Sequence, residues 1–108
     1  MLRAEGDLVE RARAYPGVDL LIDHASGGGS GQTWPFERAR ELVGRGRRVW
    51  IAGGLGPDNV ADAVRAARPH GVDASSALES APGRKDPARV RDFVAAARRA
   101  LAREQVPE

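Results

Sequence analysis

Two short apolar segments, each followed by small residues and then by a helical pattern, constrain the fold of this chain most. They are residues 49–55 and residues 72–76. Each begins with a run of strand length and then exposes backbone N–H groups where the next helix starts, which is the usual geometry of a phosphate-binding turn. Two such turns in succession predict that a phosphorylated ligand binds at the C-terminal edge of a parallel α/β structure.

Strand and helix patterns alternate along the chain. A helix over residues 7–15 starts at Asp7, which has capping-box spacing to Glu10, and stops at a Pro-Gly pair. The pattern predicts strands at 18–23, at 49–52 and from 72, helices from 33 or 35 to 43, from 56 to 67 and from 86 to 101, and the remnant of an earlier strand at 1–4. Alternation of this kind predicts a mostly parallel sheet in an α/β fold.

The composition is that of an ordinary single domain, with 42% apolar and 30% charged residues in a chain of 108. A net charge of +2 is too small to indicate nucleic-acid binding, and no apolar run approaches the ~20 residues of a membrane span. Zero cysteine excludes disulfides and thiolate zinc sites, and two histidines do not make a metal site. We therefore expect a cytoplasmic protein that has no metal and binds neither membrane nor nucleic acid.

Four segments together are similar to one known family. They are VDLLID at 18–23, GGSGQTW at 28–34, AGGL at 52–55 with Pro57 and Asn59-Val60, and GVDASS at 71–76 with Glu79, Pro82-Gly83 and Lys85-Asp86. In order and spacing they resemble the C-terminal half of phosphoribosylanthranilate isomerase, the (β/α)8-barrel enzyme of tryptophan biosynthesis. Each motif by itself is weak evidence, whereas four in one order are strong.

The resemblance implies half of a (β/α)8 TIM barrel, in which parallel strands alternate with helices. The chain would supply part of barrel strand five and the whole of strands six to eight. Residues 1–108 would form one domain, with a frayed tail at 104–108. Strands one to four would be missing, because a complete barrel needs about 200 residues or more. We therefore expect a fragment that is inactive alone and whose partner is the N-terminal half-barrel or a second copy.

One carboxylate matches the chemistry that the resemblance implies. The family catalyses the Amadori rearrangement of N-(5-phosphoribosyl)anthranilate to an aminoketose, which needs a general acid, a general base and no cofactor. Asp23 matches the family's acid, its alternative role being to cap the turn that follows. The family's base, a cysteine on barrel strand one, has no counterpart here. His24 is a conceivable substitute, although strand alternation directs it to the face opposite Asp23.

The resemblance also assigns residues that would hold the phosphorylated substrate. The phosphate would bind Gly53 and Gly54 after barrel strand seven, and Ser75, Ser76 and Ala77 after strand eight. The rest of the substrate would meet Asp73, which is otherwise a structural carboxylate, and a closing loop of Gly28, Gly29, Ser30 and Gly31. Ala77 replaces the family's usual glycine, so a positive φ there would strain the turn. Gln32 stands where the family frequently has lysine, so the resemblance assigns no substrate contact to this side chain.

Two other functions are compatible with these residues. The first is a phosphate-binding half-barrel that self-associates and does not catalyse. The second is a nucleic-acid module that uses the arginines of the last helix, namely Arg89, Arg91, Arg98, Arg99 and Arg103. Basic residues at several angles around a helix are typical of a solvated face, so this last function is disfavoured.

Overall fold

A four-stranded parallel sheet forms the centre of the computed structural model, which describes residues 1–24, 33–74, 76–81 and 83–105. The strands lie in the order β1-β2-β3-β4. Their bounds are Leu2–Arg3 for β1, Leu20–Asp23 for β2, Val49–Ile51 for β3 and Gly71–Val72 for β4. All three pairings are parallel. The strand order follows the chain order, as it does along the wall of a (β/α)8 barrel.

Helices connect the strands. They are α1 at Leu8–Ala12, a 3-10 turn at Phe36–Ala39 that continues as α2 at Arg40–Gly44, α3 at Val60–Ala67, and α4 at Pro87–Gln105. The Asp7 side chain accepts a hydrogen bond from the Glu10 backbone N–H at 3.2 Å, which confirms the predicted start of α1. Asp86 accepts from the Ala88 N–H at 2.9 Å in the same way at the start of α4.

One face of the sheet carries the hydrophobic core. The strand side chains that point to the helices are buried, namely Leu2, Leu20, Ile22, Val49 and Ile51. They pack against the 3-10 turn, α2, α3 and α4 through Phe36, Leu42, Val60, Val64, Phe93 and Ala97. Because successive strand residues point to opposite faces, the strand residues between these buried ones point to the other face of the sheet.

That opposite face has no helix over it within the described part of the chain. Trp50 lies there and is 39% exposed, and its register partners on β2 and β4 are Leu21 and Gly71. The Trp50 ring covers Gly71 so closely that a Cβ on that glycine would lie 2.2 Å from two ring carbons. In a closed barrel this face is the interior, and we call it the open face.

The structure corrects several element boundaries. The strand expected at 18–23 begins only at Leu20, and the helix expected from 56 begins only at Val60. The last helix extends to Gln105; residues 106–108 lie outside the described ranges, and the frayed tail expected at 104–108 stays a prediction.

An antiparallel hairpin that was not predicted from the sequence follows β4. A 3-10 turn at Ser76–Leu78 leads into β5 at Glu79–Ala81, which pairs with β6 at Arg84–Lys85. The strands are two and three residues long and mostly exposed, so they carry no apolar alternation that could have indicated them.

No helix in the described ranges is long and apolar enough to cross a membrane.

Candidate functional site

The carboxyl ends of the strands meet at one edge of the sheet. The ladder continues beyond the strands, since Ala52 N–H donates to Ile22 O at 2.9 Å and Asp73 N–H donates to Ile51 O at 2.9 Å. Asp23 therefore ends β2 beside the start of the glycine turn after β3, and Asp73 follows β4 at the same edge. This is the edge at which (β/α)8 enzymes bind their substrates.

Asp23 packs directly against the first glycine of the turn. A Cβ on Gly53 would lie 2.9 Å from the Asp23 Oδ1 atom, 2.9 Å from the Trp34 Nε1 atom and 3.0 Å from the His24 N atom. Gly53 also has a φ of +101°, which L side chains rarely adopt. Glycine is thus required here on two grounds, and it brings the carboxylate next to the turn.

The Asp23 carboxylate is half-buried and accepts a hydrogen bond from the His24 backbone N–H at 2.6 Å. Asp23 therefore bonds to the residue that directly follows it, while the turn that it was expected to cap lies outside the described residues. The bond is compatible with the predicted role as an acid, because a single N–H occupies one oxygen and leaves acceptor and proton-carrying capacity on the carboxyl group. The hydrogen bond from the His24 N–H orients the Asp23 carboxyl group.

Trp34 fixes the backbone of the same corner. Its indole Nε1–H donates to Ala52 O at 2.7 Å in a buried hydrogen bond, and its ring lies 4.7 Å from the Phe36 ring between centroids. Both aromatic residues are buried and belong to the core. The link to Ala52, one residue before the glycine turn, was not predicted; the need of a buried indole for an acceptor is the only signal for it.

The first turn is closed by a side chain. The Asn59 Nδ2 atom donates to Gly54 O at 2.9 Å, and Asn59 Oδ1 accepts from the Gly56 N–H at 2.8 Å. Gly54 has a φ of +70°. Within the described ranges, the backbone N–H groups of Gly53 and Gly54 have no acceptor. Two donors with no protein partner, in a turn held rigid by Asn59, can bind an anion.

The second turn contacts the first. A Cβ on Gly56 would lie 3.1 Å from the Ala77 Cβ, and Arg89 donates from Nη1 to Ala77 O at 3.2 Å. Among the described residues, Arg68 is the single non-glycine residue with a positive φ, so the φ of Ala77 is not positive. The strain that we had considered for alanine at this position is therefore absent, because a 3-10 turn accepts any L residue.

The structure describes some of the site residues predicted from the sequence and not others. Asp23, Gly53, Gly54 and Ala77 lie along one edge, while Asp73 follows β4 there with an exposed side chain. Ser76 begins the second turn by its backbone. Gly28, Gly29, Ser30, Gly31, Gln32 and Ser75 lie outside the described residues. Arg3, which was not among the predicted residues, is the β1 register partner of Asp23.

Comparison with known proteins agrees with this architecture. A family model described as N-(5'phosphoribosyl)anthranilate (PRA) isomerase matches residues 2–96. The chain belongs to the phosphoribosylanthranilate isomerase family. An N-(5'-phosphoribosyl)anthranilate isomerase of Trichlorobacter lovleyi is 55% identical over 74 residues, which cover 68% of this chain and 36% of the relative.

Solved structures of the family share the fold. The phosphoribosyl anthranilate isomerase of Thermus thermophilus matches with a TM-score of 0.74 and 37% identity over 88% of this chain and 46% of that one. A second such enzyme, in complex with reduced 1-(o-carboxyphenylamino)-1-deoxyribulose 5-phosphate, matches with a TM-score of 0.74 and 28% identity over 90% and 46%. The chain therefore spans less than half the length of these relatives and has the fold of half a TIM barrel.

Proposed function

We propose that this chain is the acid-bearing and phosphate-binding half of a phosphoribosylanthranilate isomerase. The observation that carries the proposal is the contact between the Asp23 carboxyl group and the Gly53-Gly54 turn, whose N–H groups have no acceptor in the described part of the chain. One group can donate a proton and the other can bind a phosphate. Both lie at the edge where the family's substrate would bind.

The spacing suits the substrate N-(5-phosphoribosyl)anthranilate. Only two carbons, C4 and C5, separate the ring oxygen from the phosphate ester, so an acid about 4.8 Å, or one strand spacing, from the phosphate turn is within reach of that oxygen. Asp23 donates its proton to the ring oxygen as the C1–O bond breaks, and the lone pair of the nitrogen forms a C1=N bond. A base then removes the C2 proton, and the resulting enol tautomerises to the ketose.

The base comes from outside this chain in our proposal. The chain has no cysteine, and His24 follows a strand residue that points to the open face, so alternation turns its side chain away from the Asp23 side. We therefore expect no turnover by the chain alone.

The partner that completes the site is the other half of the barrel. β1 and β4 are the edges of the sheet and pair on one side only among the described strands, and the open face exposes Trp50. Unpaired edges and an apolar face both favour association. An N-terminal half-barrel would pair with both edges and cover the face, and a second copy of the chain is the alternative partner.

The test is an activity assay with purified halves, following the loss of the substrate's anthranilate-type fluorescence. We expect no turnover with the chain alone, turnover when a separately expressed N-terminal half-barrel of the family is added, and loss of that turnover with Asp23→Asn. Asp19→Asn is the matched control, because Asp19 is an exposed aspartate at the opposite end of the β2 region, paired with Arg48. Turnover that survives Asp23→Asn, or turnover by the chain alone, contradicts the proposal.

A phosphate-binding half-barrel without catalysis is the second candidate, and the rigid glycine turn favours it equally. It predicts phosphate binding by the chain but no turnover with any N-terminal half-barrel. Gly54→Val should abolish that binding, because valine is strained at a φ of +70°. Gly17→Val, at a φ of +75° with no atom within 4 Å of its Cβ, is the control for general destabilisation.

A further inference from the structure

One buried indole reaches the peptide bond at which the glycine turn after β3 starts. The Trp34 Nε1–H donates to Ala52 O at 2.7 Å, and both residues are buried. The same Nε1 atom lies 2.9 Å from the position that a Cβ on Gly53 would take, and that position is equally close to Asp23 Oδ1 and to His24 N. The indole N–H therefore lies on the β2 side of this peptide.

This hydrogen bond sets the direction of a second group. The Ala52 carbonyl and the Gly53 N–H belong to one planar trans peptide, so they point in opposite directions. The Ala52 N–H faces β2, because it donates to Ile22 O at 2.9 Å, while the preceding carbonyl, that of Ile51, faces β4, where it accepts from the Asp73 N–H at 2.9 Å. With its carbonyl held on the β2 side by the indole, this peptide points the Gly53 N–H toward β4 and the second turn.

The Gly53 N–H is therefore an oriented donor, and it has no acceptor within the described part of the chain. A hydrogen bond accepted by the carbonyl of a peptide polarises that peptide and strengthens donation by its N–H. A donor that is held in its direction beforehand also does not have to be ordered when a ligand binds. Both effects favour an anion at Gly53.

We propose that Trp34 is a positioning residue that directs the Gly53 N–H at the phosphate of the substrate. This inference rests on the proposed function, because it assumes that the phosphate binds at Gly53 and Gly54. Asn59 holds the other end of the same turn, where its Nδ2 atom donates to Gly54 O at 2.9 Å. A side-chain donor thus holds a carbonyl at each end of the turn, and the N–H groups of Gly53 and Gly54 lie between the two carbonyls.

The experiment is a titration of the full 108-residue chain with inorganic phosphate, followed by NMR through the amide signals of Gly53 and Gly54. We expect both signals to shift as phosphate binds. Trp34→Phe keeps an aromatic ring but removes the donor, so the Gly53 N–H is no longer held in place. The variant should weaken phosphate binding by about fivefold or more, as for partial loss of a hydrogen bond to a charged group.

Val64→Ala is the matched control for stability. Val64 is buried in the core on α3, so its truncation destabilises the fold while the Trp34 hydrogen bond stays in place. The control should change the dissociation constant of phosphate by less than about twofold. Equal weakening by Trp34→Phe and Val64→Ala, or no weakening by Trp34→Phe, overturns the proposal.

The wild-type chain provides a test that does not depend on the folding of a variant. Phosphate on the Gly53 N–H polarises the shared peptide, so the Trp34 Nε1–H signal should shift with the same dissociation constant as the Gly53 amide signal. The Trp50 indole signal, from the open face, should not shift. A Gly53 signal that titrates while the Trp34 signal stays constant overturns only the role of Trp34. If neither Gly53 nor Gly54 responds to phosphate, the proposed phosphate site fails as well.

Discussion

At the scale of single residues, a side chain at Gly53 would meet both close contacts and an unfavourable backbone conformation. Gly53→Ala places a methyl group 2.9 Å from both Asp23 Oδ1 and Trp34 Nε1 and also imposes a φ of +101° on alanine. We expect a loss of about 2–4 kcal/mol in the free energy of unfolding, measured by urea denaturation, from strain plus displacement.

The control separates the two causes of that loss. Gly17→Ala has a φ of +75° but no atom within 4 Å of its Cβ, so it should lose only about 1–2 kcal/mol through backbone strain. Equal losses for the two variants would mean that the contact with Asp23 and Trp34 is not close in solution.

The indole hydrogen bond of Trp34 is a second test at this scale. Trp34→Phe keeps the aromatic ring but removes the donor to Ala52 O, which leaves a buried carbonyl without a partner. We expect a loss of about 1–3 kcal/mol in urea denaturation. Trp50→Phe, on the open face with 39% exposure, should change the same quantity by less than about 0.5 kcal/mol. A larger loss for Trp50→Phe than for Trp34→Phe would contradict the buried hydrogen bond from Trp34 to Ala52 O.

At the scale of elements, the hairpin β5–β6 depends on one carboxylate. Glu79 accepts from Lys85 Nζ at 3.1 Å and from the Gly83 N–H at 3.3 Å. The hydrogen bond from Lys85, followed by that from Gly83, lowers the pKa of Glu79 below its ordinary value of 4.5. A carboxylate with a lowered pKa in the folded state stabilises that state above the unfolded pKa, and this contribution is lost as pH falls through the folded pKa.

The hairpin should therefore loosen on acidification below pH 4.5. The measurement is the Gly83 amide chemical shift by NMR against pH, which should titrate with a midpoint below 4.5. Glu79→Gln should remove that titration and shift the amide toward its acid value at neutral pH, while Glu5→Gln, at an exposed site, should leave it unchanged. A Gly83 amide that does not respond in the wild type would show that the hydrogen bond is absent.

At the scale of the whole molecule, the open face governs association. Trp50 on the open face and Val94 on α4 are equally exposed, at 39% and 38%. We expect the isolated chain to self-associate, and Trp50→Lys to shift it toward monomer in sedimentation velocity, because a charge cannot be buried there without a partner.

Val94→Lys is the matched control, since it removes a similar exposed apolar side chain from the helical side. It should leave the distribution of species unchanged. A monodisperse wild-type monomer, or an equal effect of both lysine variants, would contradict association through the open face.

The sequence by itself determined the order of the elements and the kind of edge they build. Asp23 at the end of an apolar run and the Gly53-Gly54 turn before a helix are local signals, because strand length, small-residue turns and helix starts depend on residues only a few positions apart. The predicted alternation and the half-barrel are confirmed by the sheet order and by the family's structures.

Only the tertiary structure decided which groups meet across strands. The contact of Asp23 with Gly53, the bond from Trp34 to Ala52 and the row that joins Arg3 to Asp23 all depend on sheet register. Register is set by the burial of one whole face against the helices, a property of many residues far apart in the chain. No local pattern contains it, so the sequence indicated Asp23 and the glycine turn while the fold placed them side by side.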